Sequence, residues 1–259
     1  MLIADIVCHT IKHMQQHQRF LILITALLFP VLLLLPIVGC TTATPTDAEL
    51  QAAYRNAVID ARVADPGEIC RNLEAIVFYN PDLIWEGQPG VSRVLLLTWT
   101  SWDGYNDKAG ETMTVSREIW SVIPQELKDF YRQNRSLTDD SLVLRLEQLY
   151  GLPPHNGKKW FVEIWANPDD ILRPSPDPEI TDYEAELDFP KWVDTQYRDW
   201  FNELQSESYG ENGYPWTRLG YTYDWGNPKS EIGLSEFIIM PGSAVEIHSV
   251  TGTLYYSKN

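Results

Sequence analysis

The sequence has few cysteines, few histidines and few positive charges. Its 259 residues include three cysteines and five histidines, and 20 Lys and Arg against 36 Asp and Glu give a formal net charge of -16. Three cysteines are too few for a disulfide scaffold. The acidic balance argues against nucleic-acid binding, which depends on basic surface. A hydrophobic share of 44% is typical of globular proteins and excludes wholesale disorder.

The common catalytic motifs are also missing. The sequence contains no Gly-x-Ser-x-Gly elbow, no Gly-x-x-x-x-Gly-Lys phosphate loop and no His-Glu-x-x-His zinc motif. Beyond residue 40 the histidines are His155 and His248, and the cysteine is Cys70. A zinc site or a Cys-His nucleophile would have to join these distant residues, and nothing local supports that. We therefore expect no cofactor, with calcium as the one candidate discussed below.

Residues 20–38 form an uncharged, mostly apolar run that follows Arg19. A positive flank and an apolar core are typical of a secretory signal. The length also permits a membrane-spanning helix, although Pro30 and Pro36 interrupt its hydrogen bonding. The stretch before the run is long for a leader. Met14 begins a more conventional signal, and we expect it to be the true start.

The end of this run, Ile37-Val38-Gly39-Cys40, resembles the lipobox of bacterial lipoproteins. The resemblance implies lipidation of Cys40, removal of residues 1–39 and a polar tether over 40–46. It also implies a location in the bacterial cell envelope, with an ectodomain over 47–259 held on a membrane by its acyl chains. The alternative is an uncleaved signal anchor in which Cys40 is simply buried.

The ectodomain pattern predicts a single α+β domain with a mainly antiparallel sheet, because strands and helices do not alternate regularly. Helices are predicted over 50–61, 124–133, 138–150 and 193–204, with Gly151 ending the third. Strands are predicted over 73–79, 91–102, 112–123 and 160–165, with three or four more between 221 and 256.

Segment 166–190 carries five prolines and eight acids, against one basic residue, Arg173. Clustered carboxylates are the ligands that Ca²⁺ prefers, so Asp177, Glu179 and Asp182 are candidate metal ligands. The spacing matches no EF-hand. The alternative is a solvated loop stiffened by its prolines.

Segment 214–226 packs five aromatic residues around Arg218 and Asp224. It is similar to segments of bacterial proteins of unknown function, and that resemblance implies no activity. Trp216, Arg218 and Asp224 are candidate ligand-binding residues, and the alternative is that the block fills the core. Strand alternation predicts that Tyr223 joins the core while Asp224 points outward or into a cleft.

Two classes of function remain open. The first is a non-catalytic binding or structural role at the envelope, with a glycan or an envelope protein as partner. The second is a glycan hydrolase that uses a pair of carboxylates, for which Glu163 and Asp224 are the best-placed candidates.

Replacing Cys40 tests the predicted lipid attachment and the predicted removal of the signal. Cys40→Ser is expected to abolish incorporation of labelled palmitate and to leave an unprocessed precursor, because the thiol is the acceptor of the lipid. Cys70→Ser is the matched control and is expected to be labelled normally. A wild-type protein that incorporates no palmitate would instead support the signal-anchor alternative.

Overall fold

The structure, a computed structural model, describes residues 44–256. The predictions for the signal at 20–38, for Met14, for Cys40 and for most of the tether lie outside the described residues. Within the described range the chain forms four α-helices and an eight-stranded antiparallel sheet, which confirms the predicted α+β class. In that same range no helix is both long and apolar enough to cross a membrane.

The helices begin and end close to their predicted positions because their caps are encoded locally. They are α1 (Asp47–Asp60), α2 (Pro124–Gln133), α3 (Asp139–Leu149) and α4 (Thr195–Ser208). A reciprocal capping box between Thr46 and Glu49 starts α1. Pro124 starts α2, and the Asp194 side chain accepts a hydrogen bond from the Tyr197 backbone to start α4.

The strands differ more from the prediction. They are β1 (Val94–Thr100), β2 (Thr112–Thr114), β3 (Ile119–Val122), β4 (Trp160–Ala166), β5 (Ile171–Leu172), β6 (Tyr221–Tyr223), β7 (Ile232–Ile239) and β8 (Ala244–Gly252). The order in the sheet is β2-β8-β4-β1-β3-β7-β5, and β6 pairs with β7.

Two strand predictions were wrong. Segment 73–79 is irregular, because its backbone bonds run to another irregular segment, from Leu73 to Tyr183 and from Ile76 to Ile180. Segment 112–123 is two strands rather than one. Its first part pairs with β8, whereas its second part pairs with β1 and β7 on the other side of β4.

The sheet is strongly curled. In the strand order β8 lies four positions from β7, which would be about 19 Å in a flat sheet with strands about 4.8 Å apart. In the chain only residues 240–243 join the two strands, and Ser243 N donates to Met240 O across a tight turn. Such a turn holds its ends within about 7 Å, so the two sides of the sheet must approach each other.

Curling gives the sheet an inner and an outer face. The inner face carries a core of aliphatic and aromatic side chains that includes Val94, Leu96, Ile164, Phe237 and Ile247. The outer face alternates with it and is covered by α2 and α3, through residues that include Leu97, Trp99, Phe161, Leu127 and Leu146. Hence almost every residue of β1 is buried.

The middle of the acidic segment is buried, whereas several of its acids, such as Asp169, Glu179 and Asp188, are exposed. Residues 173–177 are all buried, and Arg173 is fully buried in their midst. The Arg173 guanidinium donates to the backbone oxygens of Glu179, Glu74 and Asp182 and stacks over the Phe237 ring. Arg173 therefore organises the segment, and its middle part, residues 173–177, is buried rather than solvated.

Arg173→Met is expected to destabilise the fold by about 3 kcal/mol, because it leaves buried carbonyl groups without a donor and neighbouring acids without their cation. Arg71→Met is the matched control, since Arg71 pairs with Glu184 of the same segment but lies on the surface. The control is expected to lose less than about 1 kcal/mol. Urea denaturation of both variants measures this, and equal losses would contradict the organising role of Arg173.

Candidate ligand-binding cleft

A gap in the sheet between β1 and β3 opens into a cleft. The register of β1 with β3 consists of one pair, Leu97 opposite Val122, among the described residues. Among the described residues no further pair joins the two strands beyond it, and residues 98–100 and 119–121 both line the cleft. The two strands therefore separate, and the space between them is the cleft.

The edge that this separation exposes on β1 is partly satisfied by a lysine. Thr100 O accepts a hydrogen bond from Lys159 N on the β4 side. Backbone groups alternate along an antiparallel strand, so the Trp99 peptide faces the gap. Lys158 Nζ donates to Trp99 O at 2.6 Å. Burial lowers the pKa of the Lys158 ammonium.

The cleft has a volume of about 730 Å³, within the range of small-molecule sites. Its walls come from the ends of β1 and β3, the segment between them, the end of α3 and residues 214–223. Nine aromatic side chains line it, and they are Trp99, Trp102, Tyr105, Trp120, Tyr150, Tyr214, Trp216, Tyr221 and Tyr223.

Two of these rings are available at the surface. Trp102 is 54% exposed and Tyr214 is 53% exposed. Trp102 meets Tyr105 edge to face, with ring centroids 4.6 Å apart, and this contact holds the indole at the rim. Trp120 meets Trp216 edge to face further along the lining, at 6.1 Å. The cleft therefore offers aromatic faces from its rim inward.

Polar groups are interspersed among the rings. Hydroxyl groups come from residues that include Thr98, Thr100, Ser101 and Ser116, and ionisable groups from Arg117, Glu118, Lys158 and Glu236. Glu118 accepts a hydrogen bond from Trp200 Nε1 at 3.2 Å. Burial raises the pKa of Glu236 to about 8, so its carboxyl group is largely protonated at neutral pH.

Two aromatic residues of the lining have a polar atom without a partner. Among the described residues, the Tyr150 hydroxyl and Trp216 Nε1 are buried and make no hydrogen bond. Unpaired donors of this kind cost free energy unless something else satisfies them. Both atoms have almost no exposed surface, so a ligand in the open cleft does not reach them.

The end of α3 places Tyr150 in the wall. Gly151 N donates to Gln148 O and Leu152 N donates to Glu147 O, which is a Schellman ending. Gly151 has a φ of 63°, and a side chain there would lie 3.2 Å from Tyr223 O. A glycine is therefore required both by the turn and by the close approach of β6.

The structure places one of the three predicted ligand-binding residues in the cleft. Trp216 lines it, whereas Arg218 and Asp224 do not. Arg218 donates to the backbone oxygen of Arg62 and ties the end of α1 to the loop before β6. Asp224 is buried and forms a two-point salt bridge with Arg145 of α3. The expectation that Asp224 points outward or into a cleft was wrong.

The predicted carboxylate pair also lies elsewhere. Glu163 accepts hydrogen bonds from Ser249 and Tyr256, and neither Glu163 nor Asp224 lines the cleft. Of the predicted calcium ligands, Asp182 has its Oδ1 atom 3.7 Å from Nη2 of Arg173. Asp177 accepts a hydrogen bond from Glu179 N. Across the described residues no group of three or more His, Cys, Asp or Glu is arranged to hold a metal ion. Calcium binding by Asp177, Glu179 and Asp182 stays a prediction.

Glu236, Tyr150 and Trp102 line the cleft but were not predicted as site residues from the sequence. Glu236 could have been found, because alternation along β7 places it between Leu234 and Ile238 on a face otherwise apolar. Trp102 and Tyr150 gave no such indication, since their roles depend on how β1 and β3 separate.

Comparison with known protein families, with curated proteins and with solved structures finds no significant match to this chain.

The salt bridge between Arg145 and Asp224 gives a testable consequence for stability. Asp224→Ala is expected to cost about 3 kcal/mol, because it strands a partly buried guanidinium and removes the acceptor of Gly226 N. Arg145→Ala is expected to cost a similar amount, and the double variant less than the sum. A loss below about 1 kcal/mol for Asp224→Ala in urea denaturation would contradict the buried pairing.

Proposed function

We propose that this chain is a lipid-anchored protein of the bacterial cell envelope whose ectodomain binds a glycan in the cleft without cleaving it. The lipobox-like sequence at Cys40 supports the anchor and the location. The cleft supports the binding role. The membrane is contacted through the lipid rather than through the acidic protein surface.

The observation that carries this proposal is the combination of rings and hydroxyl groups in one cleft. A sugar ring has faces of C–H groups and an edge of hydroxyl groups. The faces suit aromatic side chains such as Trp102 and Trp120, and the edge suits hydroxyl groups such as those of Thr100 and Ser116. Few other small ligands combine apolar C–H faces with hydroxyl groups along their whole edge.

A glycan fits this surface better than an envelope protein does. A stable protein interface needs about 800 Å² on each partner, usually on a broad surface. The cleft is concave and of small-molecule size. An envelope protein as partner therefore becomes an alternative result of the binding experiment.

A second candidate function is hydrolysis of the bound glycan. Glu118 and Glu236 line the same cleft, and burial raises the pKa of Glu236 to about 8. Two carboxyl groups in unlike surroundings are what glycoside hydrolysis uses. Release of new reducing ends from a bound oligosaccharide would favour this function over binding alone.

Binding is tested with the full-length chain in detergent and with tetrasaccharides of the chito-, malto-, cello- and xylo- series. We expect at least one to bind. Trp102→Ala is expected to weaken that binding about tenfold, since loss of one stacked ring costs about 1–2 kcal/mol. Calorimetry measures the affinity.

Trp192→Ala is the matched control for this experiment. Trp192 is 62% exposed, comparable to Trp102, but does not line the cleft. The control is expected to bind like the wild type. Equal weakening by both substitutions, or no binding of any tetrasaccharide, would contradict the proposal.

A further inference from the structure

The two carboxyl groups of the cleft have different surroundings. Glu118 accepts a hydrogen bond from Trp200 and lies next to the exposed Arg117. Glu236 lies on β7 opposite Val122. Within residues 44–256 the Glu236 carboxyl group makes no hydrogen bond and no ion pair. A carboxyl group that lines a cleft with no partner from its own chain is available to a ligand.

The neighbourhood of Glu236 lacks a compensating charge. Burial is the one cause that raises its pKa, so no charged group of the described chain acts on it appreciably. The other charged groups of the lining are Arg117, Glu118 and Lys158, and Lys158 is already bonded to Trp99 O. Glu126, on α2, accepts hydrogen bonds from Ser235, the residue that precedes Glu236 in the chain.

We propose that Glu236 holds an uncharged oligosaccharide in the cleft by donating a hydrogen bond from its neutral carboxyl group to a ligand oxygen. This inference rests on the proposed function and names the class of glycan. It makes Glu236 a binding residue that determines specificity.

Several features favour an uncharged ligand over an acidic one. An anion bound beside Glu236 would lose its hydration without gaining a free cation in the interior of the cleft, and that exchange is costly. The hydroxyl groups of the lining, such as those of Thr100 and Ser116, supply neutral donors and acceptors. A neutral carboxyl group adds one more donor and one acceptor of the same kind.

The proton on Glu236 makes binding depend on pH. Below pH 8 the carboxyl group is neutral and can donate. Above pH 8 it ionises, loses its proton and places a negative charge against the ligand oxygen. If only the neutral form binds, about one molecule in eleven is competent at pH 9, and affinity falls about tenfold.

The experiment measures the affinity of the full-length chain for its best-bound neutral tetrasaccharide at pH 6.5 and at pH 9. We expect the wild type to bind about tenfold more weakly at pH 9. Glu236→Gln retains a donor that does not titrate, so its affinity is expected to be equal at the two pH values. Glu207→Gln, on the exposed side of α4, is the matched control and is expected to follow the wild type.

An acidic panel of oligogalacturonides completes the test, and we expect it to bind at least tenfold more weakly than the neutral tetrasaccharide. Wild-type affinity that is unchanged between the two pH values would overturn the role of Glu236 while leaving glycan binding in place. A pH dependence retained in Glu236→Gln, or tighter binding of the acidic panel, would do the same. If neither the neutral nor the acidic panel binds, both this inference and the proposed function are overturned.

Discussion

The separation of β1 from β3 is the constraint on which the rest of the site depends. One residue pair, Leu97 with Val122, joins these strands in the described chain, and beyond it each strand follows its other neighbour. A continuous ladder there would leave no cleft. Because the strands separate, Trp99, Trp102 and Trp120 line a concave site.

The fold can tolerate this gap because its stability comes from elsewhere. The inner core of the curled sheet and the outer layer under α2 and α3 are both filled by apolar side chains. Long ladders between β4 and its neighbours β1 and β8 hold the sheet together. At the gap itself Lys158 replaces the missing strand as donor to Trp99 O, which reduces the cost of exposing a backbone edge.

Much of the fold could be predicted from the sequence, whereas little of the site could. Helices α1 to α4 carry their caps and apolar faces in adjacent residues, so local rules place them. Segment 112–123 has the composition of a strand, but which partner each half finds depends on the curled sheet. From the sequence alone Arg173 and Asp224 are expected at the surface. Both are buried, because distant segments of the chain supply their partners. Glu236 interrupts an apolar alternation along β7, and that was its only indication.

The most direct test of the cleft uses the tryptophan indoles as reporters. The chain has ten tryptophans, and four of them, Trp99, Trp102, Trp120 and Trp216, line the cleft. Nitrogen-15 NMR of the indole groups during titration with a bound tetrasaccharide assigns the site. We expect the shifts to concentrate in these four signals while those of Trp85, Trp192 and Trp225 stay fixed. Shifts concentrated in the second group would show that the ligand binds elsewhere and would contradict the account.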